Sequence, residues 1–281
     1  EGVFTLQSDA VLRYSSLFGS VLSLLNNEDT SAYGGQRIAD GLSSFLIDNI
    51  TIVNCETAFE LRDAYVSNIT NCLIDTCDVA IHLYDCNKIN IIGCSINSCG
   101  KGLYINSNST CISLENNTIQ SCINAVLALS FENLRIVGNY FEYNENNDYA
   151  IVHLDGTSSA NCIAATVMSN RFAPQGTQGT TIPIKLLRVA DGCVFSNKFS
   201  NYYTTRLYID SNSSGISYDR TVDSRITNLS NSCVGLQRAY IEGIPSNAGG
   251  FLGATAWDRY RNKPIWWNGS KWIYADGSER T

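Results

Sequence analysis

Proline, methionine, histidine and charge are all scarce in this 281-residue chain, which has 4 Pro, 1 Met, 2 His and only 16% Asp, Glu, Lys and Arg. So little proline leaves hydrogen-bonded ladders uninterrupted. The few charges sum to −7, which argues against a nucleic-acid binder, because neutralising phosphates calls for a basic excess. Long hydrophobic runs are also missing: the longest, Ser16 to Leu25, is broken by Ser and Gly and falls well short of the roughly 20 residues of a membrane span. Membrane insertion is not expected. Neither a basic leader nor a small-residue cleavage site follows Glu1, so any targeting segment is expected outside this chain. No Cys-x-x-Cys pairs alternate with His as a structural zinc site requires, and no cluster of three carboxylates suggests calcium. Neither a metal nor a cofactor is expected.

What is abundant is small and polar: 29 Asn, 31 Ser and 21 Gly, with 11 Cys. An apolar content of 44% excludes disorder, and this length permits one long domain or two ordinary ones. An internal repeat decides between them. Aligned on Ile52, Ile74, Ile96, Ile119 and Phe141, the chain repeats at about 22 residues. Three positions after each anchor stand Cys55, Cys77, Cys99, Cys122 and Asn144; two before it stand Ile50, Cys72, Cys94, Asn117 and Asn139. Phe172 and Phe199 continue the frame, with Asn170 and Asn197 two before and insertions between the coils.

Within each unit apolar residues alternate with polar ones, as in Ile81-His82-Leu83 and Leu103-Tyr104-Ile105, which is the period of a strand. Three short strands per unit, separated by Asn, Asp, Ser and Gly, describe one coil of an all-β, right-handed parallel β-helix. No coil can bury its inner face except by stacking on a neighbour. Leucine-rich repeats would need a Leu-x-x-Leu-x-Leu frame and a β-propeller about twice this period. Rungs then follow at about 4.8 Å, the Cys column is expected to pack as small buried thiols, with disulfide staples between adjacent rungs as the alternative, and the Asn column forms an amide ladder at a corner. Reduced cysteines suit a chain that folds in a cytosol. The sequons at Asn49, Asn68, Asn108, Asn116, Asn212, Asn228 and Asn268 read as corner chemistry rather than glycosylation, and Cys193 and Cys233, without a neighbouring His, read as structural.

Residues 1–45 are expected to be either an N-terminal cap, with Val11 to Leu25 as a short helix over the first coil, or first irregular coils; 46–232 form the β-helix, and 233–281 a Trp-rich tip. In that tip Lys263-Pro264-Ile265-Trp266-Trp267-Asn268-Gly269-Ser270-Lys271-Trp272-Ile273 predicts a hairpin turning at Asn268-Gly269. The segment resembles the Lys-Pro-Ile-Trp-Trp-Asn-Gly-x-x-Trp-Val ending of tail-fibre and tailspike proteins from phages and prophages of gut Bacteroidales. The repeat pattern is similar to that of the pectin-lyase-like superfamily, which includes tailspike bodies and polysaccharide lyases and hydrolases. These resemblances imply a receptor-binding role on a virion tail, a bacterial surface glycan as ligand, and a homotrimer in which Leu127, Leu129, Leu187 and the Trp tip touch other subunits. The alternatives are a secreted polysaccharide lyase or glycoside hydrolase of the same fold, and a structural spike or adhesin without a sugar site.

In a stack of coils, function is sought in columns. Eight residues after the anchor the outward column reads Glu60, His82, Tyr104 and Leu127, and matching Val-His-Leu to Ile-His-Leu continues it through the insertions to His153, then to Lys185 and Tyr208; two further on stand Arg62, Tyr84, Asn106, Leu129, Asp155, Leu187 and Asp210. Aromatic faces suit the C–H side of a sugar, and polar groups suit its hydroxyls. Glu60, Arg62, His82, Tyr84, Tyr104, His153, Asp155, Lys185 and Tyr208 are therefore the candidate carbohydrate-binding residues. For catalysis the best local set is His153, Asp155, Lys185 and Asp210. Asp155 and Asp210 lie two rungs, roughly 10 Å, apart, the outer edge of the separation an inverting glycosidase uses.

Overall fold

A computed structural model of the chain describes residues 44–144, 150–156, 162–174, 182–219 and 225–233, together with the backbone of the strands Val3–Phe4, Val11–Arg13, Ser16–Phe18, Val21–Leu24, Val234–Leu236, Ala239–Ile241, Thr255–Asp258, Lys263–Trp267 and Trp272–Tyr274. Its strands pair in parallel into three long sheets of ten, eleven and eight strands, the walls of a right-handed β-helix. Each coil runs through the second, third and first sheet in turn, as in Tyr65–Thr70, Leu73–Asp75 and Val79–Tyr84. No helix among the described residues is long and apolar enough to cross a membrane.

The anchor column is continuous. Leu17 pairs with Ile52, and Ile74, Ile96, Ile119, Phe141, Phe172 and Phe199 follow one rung at a time. Where the column turns aromatic, Phe141 stacks on Phe172 at 4.9 Å and Phe172 on Phe199 at 5.2 Å. Burying each such ring contributes about 2 kcal/mol. Gly102 sits in the column of Ala58, Ala80 and Ala125, where a Cβ would come within 2.5 Å of the Ala125 carbonyl. A methyl group there would push the rungs apart.

The corners explain the Asn and Ser content. Asn49, Asn54, Asn71, Asn116, Ser98 and Ser121 all take φ between 50° and 58°, the left-handed region that short polar side chains tolerate best after glycine. Two predicted sequons, at Asn49 and Asn116, are such corners.

The Asn ladder is a hydrogen-bonded stack. Asn117 Nδ2 donates to Asn139 Oδ1, Asn139 Nδ2 to Asn170 Oδ1, and Asn170 Nδ2 to Asn197 Oδ1, each at 3.0 Å. Each oxygen also takes the backbone N–H one rung below, so Asn139 Oδ1 serves Asn117 N at 2.9 Å. Each amide nitrogen also reaches a backbone carbonyl, as Asn139 Nδ2 does to Leu114 O at 2.8 Å. The column turns from Cys to Asn where Asn117 Oδ1 begins to cap Cys94 N, at 2.8 Å.

All eleven cysteines are thiols, nine of them buried. Those in the ladders donate to the carbonyl two residues back, as Cys99 does to Asn97 O at 3.1 Å and Cys72 to Thr70 O at 3.2 Å. Burial pushes Cys86 and Cys162 up to about 12, so they stay protonated at neutral pH.

The first expectation to fail is the N-terminal helix. Val11–Arg13, Ser16–Phe18 and Val21–Leu24 are three strands, paired with Leu46–Asp48, Thr51–Val53 and Phe59–Leu61 in the three sheets. The stretch is another coil, because in the sequence its apolar residues fall in short runs split by Arg, Tyr, Ser and Gly rather than on one helical face. At the far end Ile226–Asn228 pairs with Leu207–Ile209, and Val234–Leu236 with the strand Ser214–Asp219. Beyond them Lys263–Trp267 and Trp272–Tyr274 form an antiparallel hairpin with Trp267 opposite Trp272; its predicted turn at Asn268-Gly269 lies outside the described residues. Thr255–Asp258 pairs antiparallel with Lys263–Trp267 and extends the hairpin.

Candidate functional site

The outward column on the first sheet stands in the register that the repeat implies. His82 lies between Glu60 and Tyr104, Tyr104 beside Leu127, Leu127 beside His153, and His153 beside Lys185, which is followed by Tyr208. Tyr84 lies beside Arg62, and Asp155 beside Leu187. The register holds across the insertion after Phe141 because the inward residues Val126 and Val152 keep pairing.

The column divides into two halves of different character. In the first half Glu60, Arg62, His82, Tyr84 and Tyr104 are half-buried and interlocked. The His82 and Tyr104 rings stack at 4.8 Å and 20°. Arg62 donates from Nε to the Glu60 carboxylate and lies 5.3 Å over the Tyr84 ring, and Lys101 Nζ stands 4.8 Å over Tyr104. Such cation and ring contacts hold the side chains flat against the sheet. His82 Nε2 is buried with no hydrogen-bond partner, as is Asn106 Oδ1 in the neighbouring column. A buried polar atom left unmet costs about 1–3 kcal/mol.

The second half is more closed. Leu127 and His153 are only 8% and 4% exposed. Leu127 is thus mostly covered within the chain itself, whereas Leu129 and Leu187 are half-exposed. His153 Nε2 lies 3.6 Å from Asp155 Oδ2 on the same strand. Burial, reinforced by Lys185 and only partly offset by Asp155, brings His153 down to about 4, so its imidazole is neutral at physiological pH.

Asp210 is placed differently from its expected role. Its Oδ1 accepts from Arg188 N at 3.0 Å, Ser213 N at 2.9 Å and Ser213 Oγ at 2.6 Å, and Oδ2 accepts from Asn212 Nδ2 at 3.3 Å. Burial alone would raise this carboxyl, but the bonds from Ser213, Arg188 and Asn212 outweigh it and hold Asp210 below the usual carboxylate range. It caps a corner, and the structure gathers His153, Asp155 and Lys185 without it.

Lys101 is the member that the sequence reading missed. It occupies a third outward column, beside Val79 and Asn124, displaced from the first by the small-residue position at Gly102. Alternation alone hides it, because Gly102 and Leu103 are both buried and Lys101 stands three residues before Tyr104 rather than two.

This is a parallel β-helix with a polar and aromatic outer wall. A family model described as periplasmic copper-binding protein (NosD) matches residues 23–235, and the chain belongs to that family. No curated protein sequence matches it. Among solved structures it is similar to DFA-IIIase from Arthrobacter chlorophenolicus A6, at 16% identity over 85% of this chain and 70% of that one, with a TM-score of 0.46. The ORF18 protein of Geobacillus virus E2 shares 14% identity over 97% of this chain and 59% of its own, with a TM-score of 0.47. Tailspike protein 3 of bacteriophage CBA120 shares 12% over 99% and 63%, with a TM-score of 0.27.

Proposed function

We propose that the outer wall of the first sheet binds a bacterial surface polysaccharide, and that the chain is the receptor-binding region of a phage or prophage tailspike or tail fibre, acting outside the bacterium as a homotrimer. The observation that carries this reading is the interlocked group of Glu60, Arg62, His82, Tyr84, Lys101 and Tyr104. It offers ring faces and both charge signs on one rigid surface, the mixture that sugar C–H faces and hydroxyls require. Parallel rungs fix those groups about 4.8 Å apart, so little ordering entropy opposes an extended chain lying along them. The Trp-Trp-Asn-Gly ending supports the tail-fibre part of the reading, through its resemblance to phage tail proteins.

Cleavage of the same glycan is the second reading, favoured by the neutral His153 beside Asp155 and Lys185. Against it, the carboxylate that would pair with Asp155 is engaged by four hydrogen bonds in a corner. We therefore take binding without hydrolysis as the function. A glycan array combined with a reducing-end assay on every glycan bound tests it. Retention without new reducing ends is the expected result. Product release lost in Asp155→Asn would establish the enzyme instead, and no retained glycan would refute both.

A further inference from the structure

The outer wall of the third sheet changes character along its length. Its outward column reads Leu73, Ser95 and Thr118 and then, on the next three rungs, Tyr140, Arg171 and Lys198. Arg171 and Lys198 are exposed and paired on adjacent rungs, about 4.8 Å apart along the stack. Among the described residues no carboxylate forms an ion pair with either. Glu142, on the rung of Tyr140, shares a hydrogen bond with the Tyr140 hydroxyl instead. Like charges opposite each other on neighbouring strands repel, and an anion bound between them would relieve that repulsion.

The surroundings shape a hollow around the two cations. The Arg171 guanidinium lies 5.4 Å over the Tyr140 ring, a contact that steadies it against the wall. Arg171, Pro174, Lys198, Ser200 and Tyr202 line a space of about 320 Å³, at the lower end of the range that takes small ligands. Tyr202 is 50% exposed, yet the turn that carries it is fastened. Arg225 Nη1 donates to Asn201 O at 2.7 Å, Arg206 Nη2 donates to Asn201 Oδ1 at 3.2 Å, and the adjoining Tyr203 is buried. A large ring held in water at a fixed place suits the C–H face of a sugar. The guanidinium fork matches the paired oxygens of a carboxylate or phosphate, and the lysine adds a point charge.

We propose that this end of the third sheet's outer wall is a second saccharide site. It binds one anionic sugar residue, with the carboxylate or phosphate between Arg171 and Lys198 and the ring against Tyr202. The inference takes from the proposed function only that the ligand is a glycan, and it makes that glycan an acidic one; the first-sheet wall has no part in it. No linear motif marks the site, because Tyr140, Arg171 and Lys198 belong to three different coils and meet only when the coils stack.

The test is a ligand-observed NMR titration of the full chain at low ionic strength with glucuronate, glucose-6-phosphate, glucose and inorganic phosphate. At least one of the two acidic sugars should bind, more tightly than inorganic phosphate and with no binding of glucose; which of them binds tells a carboxylate from a phosphate. Arg171→Gln and Lys198→Gln, each verified as folded by circular dichroism, should weaken that binding at least tenfold. Tyr202→Ala should remove the advantage over inorganic phosphate, and Arg135→Gln, an exposed cation on the second sheet, should change nothing. The proposal is overturned if neither acidic sugar binds, if glucose or inorganic phosphate binds as tightly, or if Arg171→Gln and Lys198→Gln both keep wild-type affinity. The two glycan readings fail separately: a chain that takes up the acidic sugar, but whose retention on the array is untouched by His82→Ala, keeps this site and loses the first-sheet wall.

Discussion

Replacing Asn139 with Leu tests the amide ladder at its centre. Leucine nearly fills the volume of the amide but can neither donate nor accept. Asn139 is 1% exposed, so water cannot substitute. The change strips the acceptor from both Asn117 N and Asn117 Nδ2, and the donor from Leu114 O and Asn170 Oδ1. Asn170 Oδ1 keeps the Asn139 backbone N–H and Asn117 Nδ2 keeps Ile91 O, which leaves two buried groups, Asn117 N and Leu114 O, without this partner. At about 1–3 kcal/mol each, and less than additive because they are neighbours, the loss should be about 2–5 kcal/mol. That is a large share of the roughly 5–15 kcal/mol by which folded domains are stable. The control is Asn197→Leu at the ladder's last rung, where the side chain is half-exposed and water can reach the groups left behind; it should lose about 2 kcal/mol or less. Equilibrium urea unfolding followed by circular dichroism, with reversibility checked, reads both. If Asn139→Leu lies within about 1 kcal/mol of wild type, or Asn197→Leu is the worse of the two, the ladder does not hold the corner as described.

Three further outcomes follow from the same geometry. His153 is held near 4 against an ordinary value of 6.5; the unfolded chain therefore takes up the proton first, and stability present above pH 6.5 is lost as pH falls toward 4, by about 3 kcal/mol in all. His153→Gln should flatten that slope, and an unchanged slope would mean that this imidazole is not what titrates. Thiol titration should count eleven free cysteines in denaturant without reductant, and in the native state only Cys111 and Cys193 should react quickly; a denatured count near one would mean disulfides. Light scattering at micromolar concentration should give a trimer, whereas a monomer would count against the tailspike reading.

The fold was legible because a β-helix writes its geometry into one register: what recurs every coil in sequence recurs at one place in space. That is why Glu60, His82 and Tyr104 could be aligned with Lys185 and Tyr208 across insertions. Single-site properties were not legible. Nothing in the pattern distinguishes Leu127 and His153, which are enclosed, from Tyr104, which is open, since burial depends on what lies over the wall. Asp210 fits an outward column, yet its carboxylate turns into a corner because Ser213 and Asn212 follow it. The coil at Val11–Leu24 was legible only as an alternative to a capping helix, because the 22-residue spacing that reveals the others is absent between Leu12 and Ile47.

The central claim is that the aromatic and charged half of the first sheet's outer wall holds a glycan. Its most direct test is the affinity of the chain for a polysaccharide retained on the array, measured by calorimetry for wild type, His82→Ala and Tyr104→Ala, with Thr166→Ala on the second sheet as control. Loss of a stacked ring that touches sugar should weaken binding about tenfold or more, the equivalent of about 1.4 kcal/mol, with the control unchanged. Full affinity in both ring variants would contradict the account.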